Sequence, residues 1–114
     1  MSKRDDSVSV QDMLVHAQEA VELVGDDRFE VLDQDRVRQL ALTRLMEIIG
    51  EAAKRVSSNT RQAHPEIPWA QIIGMRNRLV HGYDVIDFDL LWDTVKSDLP
   101  PLIELLDELL DTLD

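Results

Sequence analysis

Apolar residues recur every three or four positions along most of the chain, which is the spacing of one face of an α-helix. The strict alternation of a half-buried β-strand is absent, and glycine and proline number only four each. The pattern therefore predicts an all-α protein, an antiparallel bundle of four to five helices. The predicted helices, in chain order, span about 8–24, 35–57, 68–81, 88–99 and 102–113, with a single helical turn at 29–32.

The apolar stripe of the first helix is narrow, whereas that of the second long helix is wide. The first consists of Val10, Met13, Leu14, Ala17, Val21 and Val24. The second consists of Val37, Ala41, Leu45, Ile48, Ala52 and Val56, widened by Leu40, Ile49 and Ala53. A wide stripe predicts contact both with the chain's own bundle and with a second protomer.

The segment boundaries follow from local chemistry. Asp33 or Asp35 is expected to cap the long helix, and Asp87 to cap the helix that follows residue 87. Residues 57–66 are interpreted as a polar loop, in which Arg61 adds positive charge. Pro100-Pro101 is expected to break or restart the last helix. We expect one domain over residues 1–114, with residues 1–7 and 112–114 disordered.

Arg76 interrupts the apolar stripe of the helix predicted over 68–81, where a buried guanidinium would be costly unless it were paired. His81 lies five residues later, roughly 140° around an ideal helix, while Asn77 and His81 share a face. Arg76 and His81 can meet one ligand in three ways. Arg76 reaches across, His81 occupies a frayed last turn, or two chains pool their residues.

Each of these side chains also has a purely structural interpretation. Arg76 is positioned for an ion pair with Glu47 or Glu51. His81 suits a helix C-terminus as a cation, and Tyr83 suits a half-buried aromatic position. The two glutamates also have helical spacing, but no Glu-x-x-His companion accompanies them, so no metal site is expected.

Composition limits the possible functions. The chain has no cysteine, which excludes a disulfide framework and a thiolate nucleophile. No apolar run approaches a membrane span, and no signal segment is visible, so we expect a cytoplasmic protein without a membrane. The net charge of −11 disfavours a general nucleic-acid binder. However, residues 36–83 hold eight bases and three acids, a basic block that can contact a short RNA segment.

The octapeptide Arg76-Asn77-Arg78-Leu79-Val80-His81-Gly82-Tyr83 contains Arg-x4-His-x-Tyr. This motif resembles the signature of the HepT-like branch of the HEPN superfamily. Flanking blocks are similar too, and the resemblance covers about residues 10–105. These blocks are Glu47-Ile48-Ile49-Gly50-Glu51-Ala52, Ile67-Pro68-Trp69, Gly74-Met75-Arg76-Asn77 and Leu99-Pro100-Pro101-Leu102.

The resemblance implies a dimeric toxin endoribonuclease that needs no metal or cofactor and leaves a 2′,3′-cyclic phosphate. It implies Arg76 and His81 as catalytic residues in a cleft between two protomers, with Asn77 and Arg78 in support. It also implies that an MntA-like nucleotidyltransferase antitoxin transfers AMP to Tyr83 and thereby inhibits the toxin. The alternative is a non-catalytic helical binding or regulatory subunit that partners a nucleotidyltransferase.

Overall fold

The fold comes from a computed structural model that describes residues 3–83 and 85–113. These residues are predominantly helical, which confirms the predicted all-α class. The helices are α1 (Lys3–Val24), α2 (Phe29–Leu32), α3 (Arg36–Arg55), α4 (Ser58–Ala63), α5 (Trp69–Leu79), α6 (Phe88–Asp93) and α7 (Leu99–Leu113). A minimal two-stranded ladder, β1 (Val80–His81) with β2 (Val85–Ile86), is the one departure from that class among the described residues.

The long helices α1 and α3 lie antiparallel, and polar contacts join both of their ends. At one end the Asp6 carboxylate accepts a hydrogen bond from the Ser57 backbone N–H at 2.8 Å. At the other end the Arg38 guanidinium donates to the Leu23 carbonyl at 3.3 Å and pairs with Asp27 at 2.7 Å. The predicted stripe of α1 is buried in the core between these ends, apart from Val21, which is partly buried.

The helix α1 begins at Lys3, so residues 3–7, for which disorder was expected, belong to its first turns. Met1 and Ser2 lie outside the described residues. The side chain that holds this first turn is Asp6, which is only 2% exposed. Its carboxylate accepts from the hydroxyls of Ser57 and Thr60, each at 2.6 Å. Burial raises the pKa of Asp6, but these hydrogen bonds outweigh it and hold the pKa below its ordinary value.

The segment predicted as a polar loop contains the short helix α4. Its N-cap is Ser57, whose hydroxyl accepts from the Thr60 backbone N–H at 3.3 Å. Sequence periodicity missed this helix because its described side chains are partly or fully exposed and leave no apolar stripe. Residues 64–68 then lead into α5, and the Trp69 indole N–H donates to the His64 carbonyl at 3.0 Å.

The helix α5 packs across the buried side of α3. Asp35 caps α3, as one of the two predicted candidates, and accepts from the Arg38 backbone N–H at 3.0 Å. Gly50 lies at the crossing, where an added Cβ would approach the Ile72 carbonyl oxygen to 3.1 Å. The close approach of the two backbones therefore favours glycine at this position, because a larger residue would push α5 away by a few tenths of an ångström.

The last two helices form one continuous helical segment from Phe88 to Leu113, so the chain does not break at Pro100-Pro101. The second predicted possibility, a restart, fits better, because the α-helical turns of α7 begin at Leu99, directly before the prolines. A π-helical turn, Thr94–Asp98, joins α6 to α7, and the Leu99 N–H donates to the Thr94 carbonyl. The wider turn changes the hydrogen-bond register next to the prolines, which themselves have no N–H to donate. Residues 112 and 113, for which disorder was expected, belong to α7, and Asp114 lies outside the described residues.

Four main helical segments thus form the bundle, within the predicted range of four to five, and α2 and α4 add short turns. No helix within the described ranges is long and apolar enough to cross a lipid bilayer.

Candidate active site

The helix α5 ends two residues earlier than predicted, and this changes the position of His81. Val80 is extended, and its N–H donates to the Arg76 carbonyl. Gly82 then adopts a left-handed φ of 72° that reverses the chain, a conformation that glycine favours. His81 pairs with Val85 across the ladder. Two expectations are therefore wrong: Asn77 and His81 do not share a helix face, and His81 lies in β1, outside the last turn of the helix.

Arg76 projects from α5 toward α3. Its Nε donates to Oε2 of Glu47 at 2.8 Å, which confirms Glu47, not Glu51, as the ion-pair partner anticipated from sequence. The other Glu47 oxygen pairs with Arg44, while Glu51 pairs with Lys54. The Arg76 side chain is still 54% exposed, so its remaining N–H donors face outward. One carboxylate positions the guanidinium and leaves it able to take an anion.

His81 lies opposite Asp87. Nε2 of the imidazole is 3.9 Å from Oδ2 of Asp87, and the His81 side chain is 62% exposed. This separation is too long for a direct hydrogen bond, but it places a carboxylate beside the ring. The other carboxylate oxygen, Oδ1, accepts from the Leu90 backbone N–H at 3.1 Å, which confirms Asp87 as the cap of α6.

Asp87 was missed as a site residue by the sequence analysis, which assigned it only a capping role. Its backbone N–H donates to the Leu79 carbonyl at 2.7 Å, so the start of α6 is tied to the end of α5. The available signal was an acid six residues after the histidine, on the far side of a glycine turn. A chain reversal at Gly82 brings those two positions together.

The other predicted site residues lie in three different environments. Asn77 is exposed on α5. Tyr83 is fully exposed in the turn between β1 and β2, so its half-buried interpretation is wrong. Arg78 lies two residues from Arg76, roughly 200° around the helix. Its Nη2 donates to the Gln71 carbonyl at 2.7 Å.

Arg78 therefore belongs to another surface. It lines a cavity of about 440 Å³ between α3, α5 and the C-terminal helical segment. The structure brings together Arg76 with Glu47, and His81 with Asp87. Among the described residues no hydrogen bond or ion pair joins Arg76 to His81, and no cluster of three or more His, Asp or Glu side chains is arranged to hold a metal ion.

The chain has a helical fold of the HEPN type. The chain belongs to the ribonuclease HepT-like family, whose sequence profile matches residues 13–109. It is 40% identical over 98 residues to "Probable ribonuclease HepT" of Thermococcus cleftensis, covering 82% of this chain and 89% of that protein. It is 36% identical over 102 residues to "Putative RNase MJ1380" of Methanocaldococcus jannaschii, and these residues cover 90% of this chain and 94% of that protein.

A protein of Caldanaerobacter subterraneus, "Putative RNase TTE0752", is 36% identical over 90 residues, which cover 79% of this chain and 80% of that protein. No solved structure matches the chain.

Proposed function

We propose that this chain is a metal-independent endoribonuclease, the toxin of a toxin–antitoxin pair, with Arg76 and His81 as its catalytic residues. The observation that carries the proposal is an exposed guanidinium and an exposed imidazole, each beside a carboxylate, in a chain of the ribonuclease HepT-like family. The names of its relatives, which refer to ribonucleases, support RNA as the substrate class.

The proposed reaction starts with attack of the ribose 2′-oxygen on the adjacent phosphorus. A base removes the 2′-OH proton, the 2′-O–P bond forms, and the P–O5′ bond breaks as an acid protonates the leaving 5′-oxygen. The products are a 2′,3′-cyclic phosphate and a 5′-hydroxyl. Imidazole suits proton transfer near neutral pH, and the Arg76 guanidinium would stabilise the additional negative charge on the phosphate oxygens.

An in-line displacement in which the 2′-OH loses its proton on one side of the phosphorus and the 5′-oxygen gains one on the other is served best by two groups, and a symmetric dimer would supply them. A two-fold axis near α5 would pair His81 of one protomer with a second His81, one as base and one as acid. Within the described part of one protomer, no hydrogen bond or ion pair joins Arg76 to His81, which favours this arrangement. The exposed apolar residues at the start of α3 provide a surface for it: Val37 is 76% exposed, Leu40 is 48% exposed, and Ala41 is also exposed.

The cleavage test uses purified protein, RNA and EDTA. We expect cleavage to persist in EDTA, with a 2′,3′-cyclic phosphate at the new 3′ end. His81→Ala should lower the rate by about 10²- to 10⁴-fold, and Arg76→Ala by about 10²- to 10³-fold. Arg55→Ala, which removes an exposed arginine at the end of α3, is the matched control. An intact fold with undiminished cleavage in both site variants would refute the assignment.

Regulation by AMP transfer forms the second half of the proposal. Tyr83 is the single tyrosine of the chain, and its exposed phenol is accessible to a second enzyme. An added AMP would bring negative charge and bulk next to His81 and repel the RNA phosphate. With an MntA-like nucleotidyltransferase and ATP, we expect the mass of AMP on Tyr83 and loss of cleavage. Equal modification of Tyr83→Phe would contradict this.

A further inference from the structure

A second exposed feature lies beside the candidate active site. A surface groove of about 580 Å³ separates α4 from α5. Its lining contains one charged residue, Arg61, and no acid. The neutral residues of its walls are Ser58, Gln62, Trp69, Ala70, Ile73 and Gly74. An anion that entered this groove would meet a guanidinium and no competing carboxylate.

The Arg61 guanidinium has no protein partner among the described residues. Its Nε is buried and has no hydrogen-bond acceptor. By contrast, Arg38 is held by both Asp35 and Asp27, and Arg76 is held by Glu47. A buried N–H without an acceptor is costly, and an acceptor that enters the groove would recover that cost once the guanidinium turns toward it. The planar edge of arginine suits two oxygens of one phosphate.

Gly74 provides an independent observation at the same groove. Glycine within a helix lowers helix stability, and Gly50 has a packing reason because the Ile72 carbonyl oxygen lies close to the position that a Cβ would occupy. Gly74 has no such reason, since nothing lies within 4 Å of the position its Cβ would occupy. A helical glycine that faces open space allows something outside the described chain to approach the backbone closely.

The groove continues into the candidate active site along α5. Arg76 and Asn77 lie three and four residues after Ile73, so they project from the same side of the helix one turn further on. One turn corresponds to a rise of about 5.4 Å. A strand whose reacting phosphate lies at Arg76 would therefore extend along this wall toward Arg61.

We propose that Arg61 and the groove between α4 and α5 bind a second phosphate of a single-stranded RNA substrate, one that neighbours the phosphate being cleaved. The inference rests on the proposed ribonuclease function and assigns Arg61 to substrate binding, not to the chemical step. A substrate too short to reach the groove gains nothing from Arg61.

The binding test uses His81→Ala protein, so that RNA is not consumed, with fluorescent mixed-sequence RNA of two or eight nucleotides in a salt series. Adding Arg61→Gln should weaken binding of the octanucleotide about 10-fold at low salt. It should also reduce the slope of log affinity against log salt by about 0.7, the value for one lost phosphate contact. Arg55→Gln is the control, because it changes the net charge by the same amount as Arg61→Gln but lies outside the groove, at the end of α3.

The kinetic test uses the protein with His81 intact. Arg61→Gln should raise KM for the octanucleotide with little change in kcat, and should remove the preference for the longer substrate. Gly74→Leu, which fills the groove without changing its charge, should have the same effect on KM, and circular dichroism checks its helix content.

The outcomes separate the two proposals. If the parent protein binds and cleaves RNA while Arg61→Gln matches Arg55→Gln in affinity, salt slope and KM, the second phosphate site is wrong and the ribonuclease proposal stands. If the parent protein neither binds nor cleaves RNA, both proposals are wrong. If Gly74→Leu changes the oligomeric state, the groove is a contact between protomers, which also overturns the phosphate site.

Discussion

At the scale of single residues, the candidate site depends on carboxylates that each serve two partners. Glu47 lies between Arg44 and Arg76, and Asp87 both caps α6 and faces His81. Both oxygens of Glu47 are engaged, which holds that carboxylate in place. In Asp87 one oxygen accepts from the Leu90 N–H, and the other lies 3.9 Å from the imidazole. On the proposed function, Asp87 would position the imidazole, and substitution can separate this role from the capping of α6.

Asp87→Asn keeps a good helix cap and removes the carboxylate charge. We expect the melting temperature to stay close to that of the parent protein, while the cleavage rate falls roughly 10-fold because the imidazolium loses its neighbouring charge. Asp87→Ala is the comparison, since it should also cost about 1 kcal/mol of stability through loss of the cap. Thermal unfolding and initial rates measure the two effects. Parent-like rates for Asp87→Asn would limit Asp87 to capping.

The contacts that the sequence predicted correctly lie between helices whose positions follow from their apolar stripes. The Arg76–Glu47 pair was anticipated because both helices could be placed from their stripes. The His81–Asp87 contact was not, because it depends on the end of α5 at Leu79 and the reversal at Gly82. Strands of two residues are too short to show any periodicity, so the ladder that moves His81 out of the helix left no pattern to read.

At the scale of elements, the junction between the start of α1 and the start of α4 is a polar contact inside an apolar bundle. Asp6 accepts hydrogen bonds from Ser57 and Thr60 and carries a depressed pKa. A carboxyl whose pKa is lower in the folded chain than in the unfolded chain stabilises the fold at pH values above the unfolded pKa. That stabilisation is lost as the pH falls through the folded pKa.

Asp6→Asn should therefore reduce the free energy of unfolding by about 2 kcal/mol at neutral pH, and by less in acid. Urea unfolding between pH 3 and pH 7 measures this, with the ordinary aspartate pKa of about 3.9 marking the upper edge of the sensitive range. Asp12→Asn, on the exposed side of α1, is the control. A constant difference between parent and Asp6→Asn across this range would contradict the pH argument.

The packing of the helices also explains why Pro100-Pro101 does not interrupt the C-terminal helical segment. Pro100-Pro101 indicates a break when the sequence is considered alone, yet Leu99 and Leu102 on either side are buried in the core. Tertiary packing thus keeps the helical segment continuous, and the π-helical turn at Thr94–Asp98 accommodates the missing donors. The bundle itself was predictable because the stripes of α1 and α3 persist over several turns.

At the scale of the whole molecule, the proposed dimer accounts for an otherwise unexplained surface. The wide stripe of α3 predicted a partner, and the structure leaves its first part exposed at Val37, Leu40 and Ala41. The remaining part of that stripe is buried in the core, for example Leu45 and Ala52, apart from Ile48, which is partly exposed. One helix therefore offers an inner face to its own bundle and an outer apolar face near the Glu47–Arg76 pair.

The double variant Val37→Glu/Leu40→Glu should be monomeric and should lose about 100-fold or more in kcat/KM, because one protomer supplies a single imidazole. Light scattering on a sizing column measures the mass, and cleavage assays measure the rate. Val8→Glu, which changes an exposed valine of α1, should leave both unchanged. A monomer that cleaves RNA at the parent rate would show that the site needs no second chain.

The turn after β1 has a consequence for the order of events. His81 and Tyr83 are two residues apart on one hairpin, so a strand of RNA lying across the imidazole would also cover the phenol. On the proposed function, a toxin molecule engaged with its substrate is shielded from its antitoxin and becomes open to inactivation only between turnovers. The speed of rescue would then depend on how long each RNA fragment stays bound.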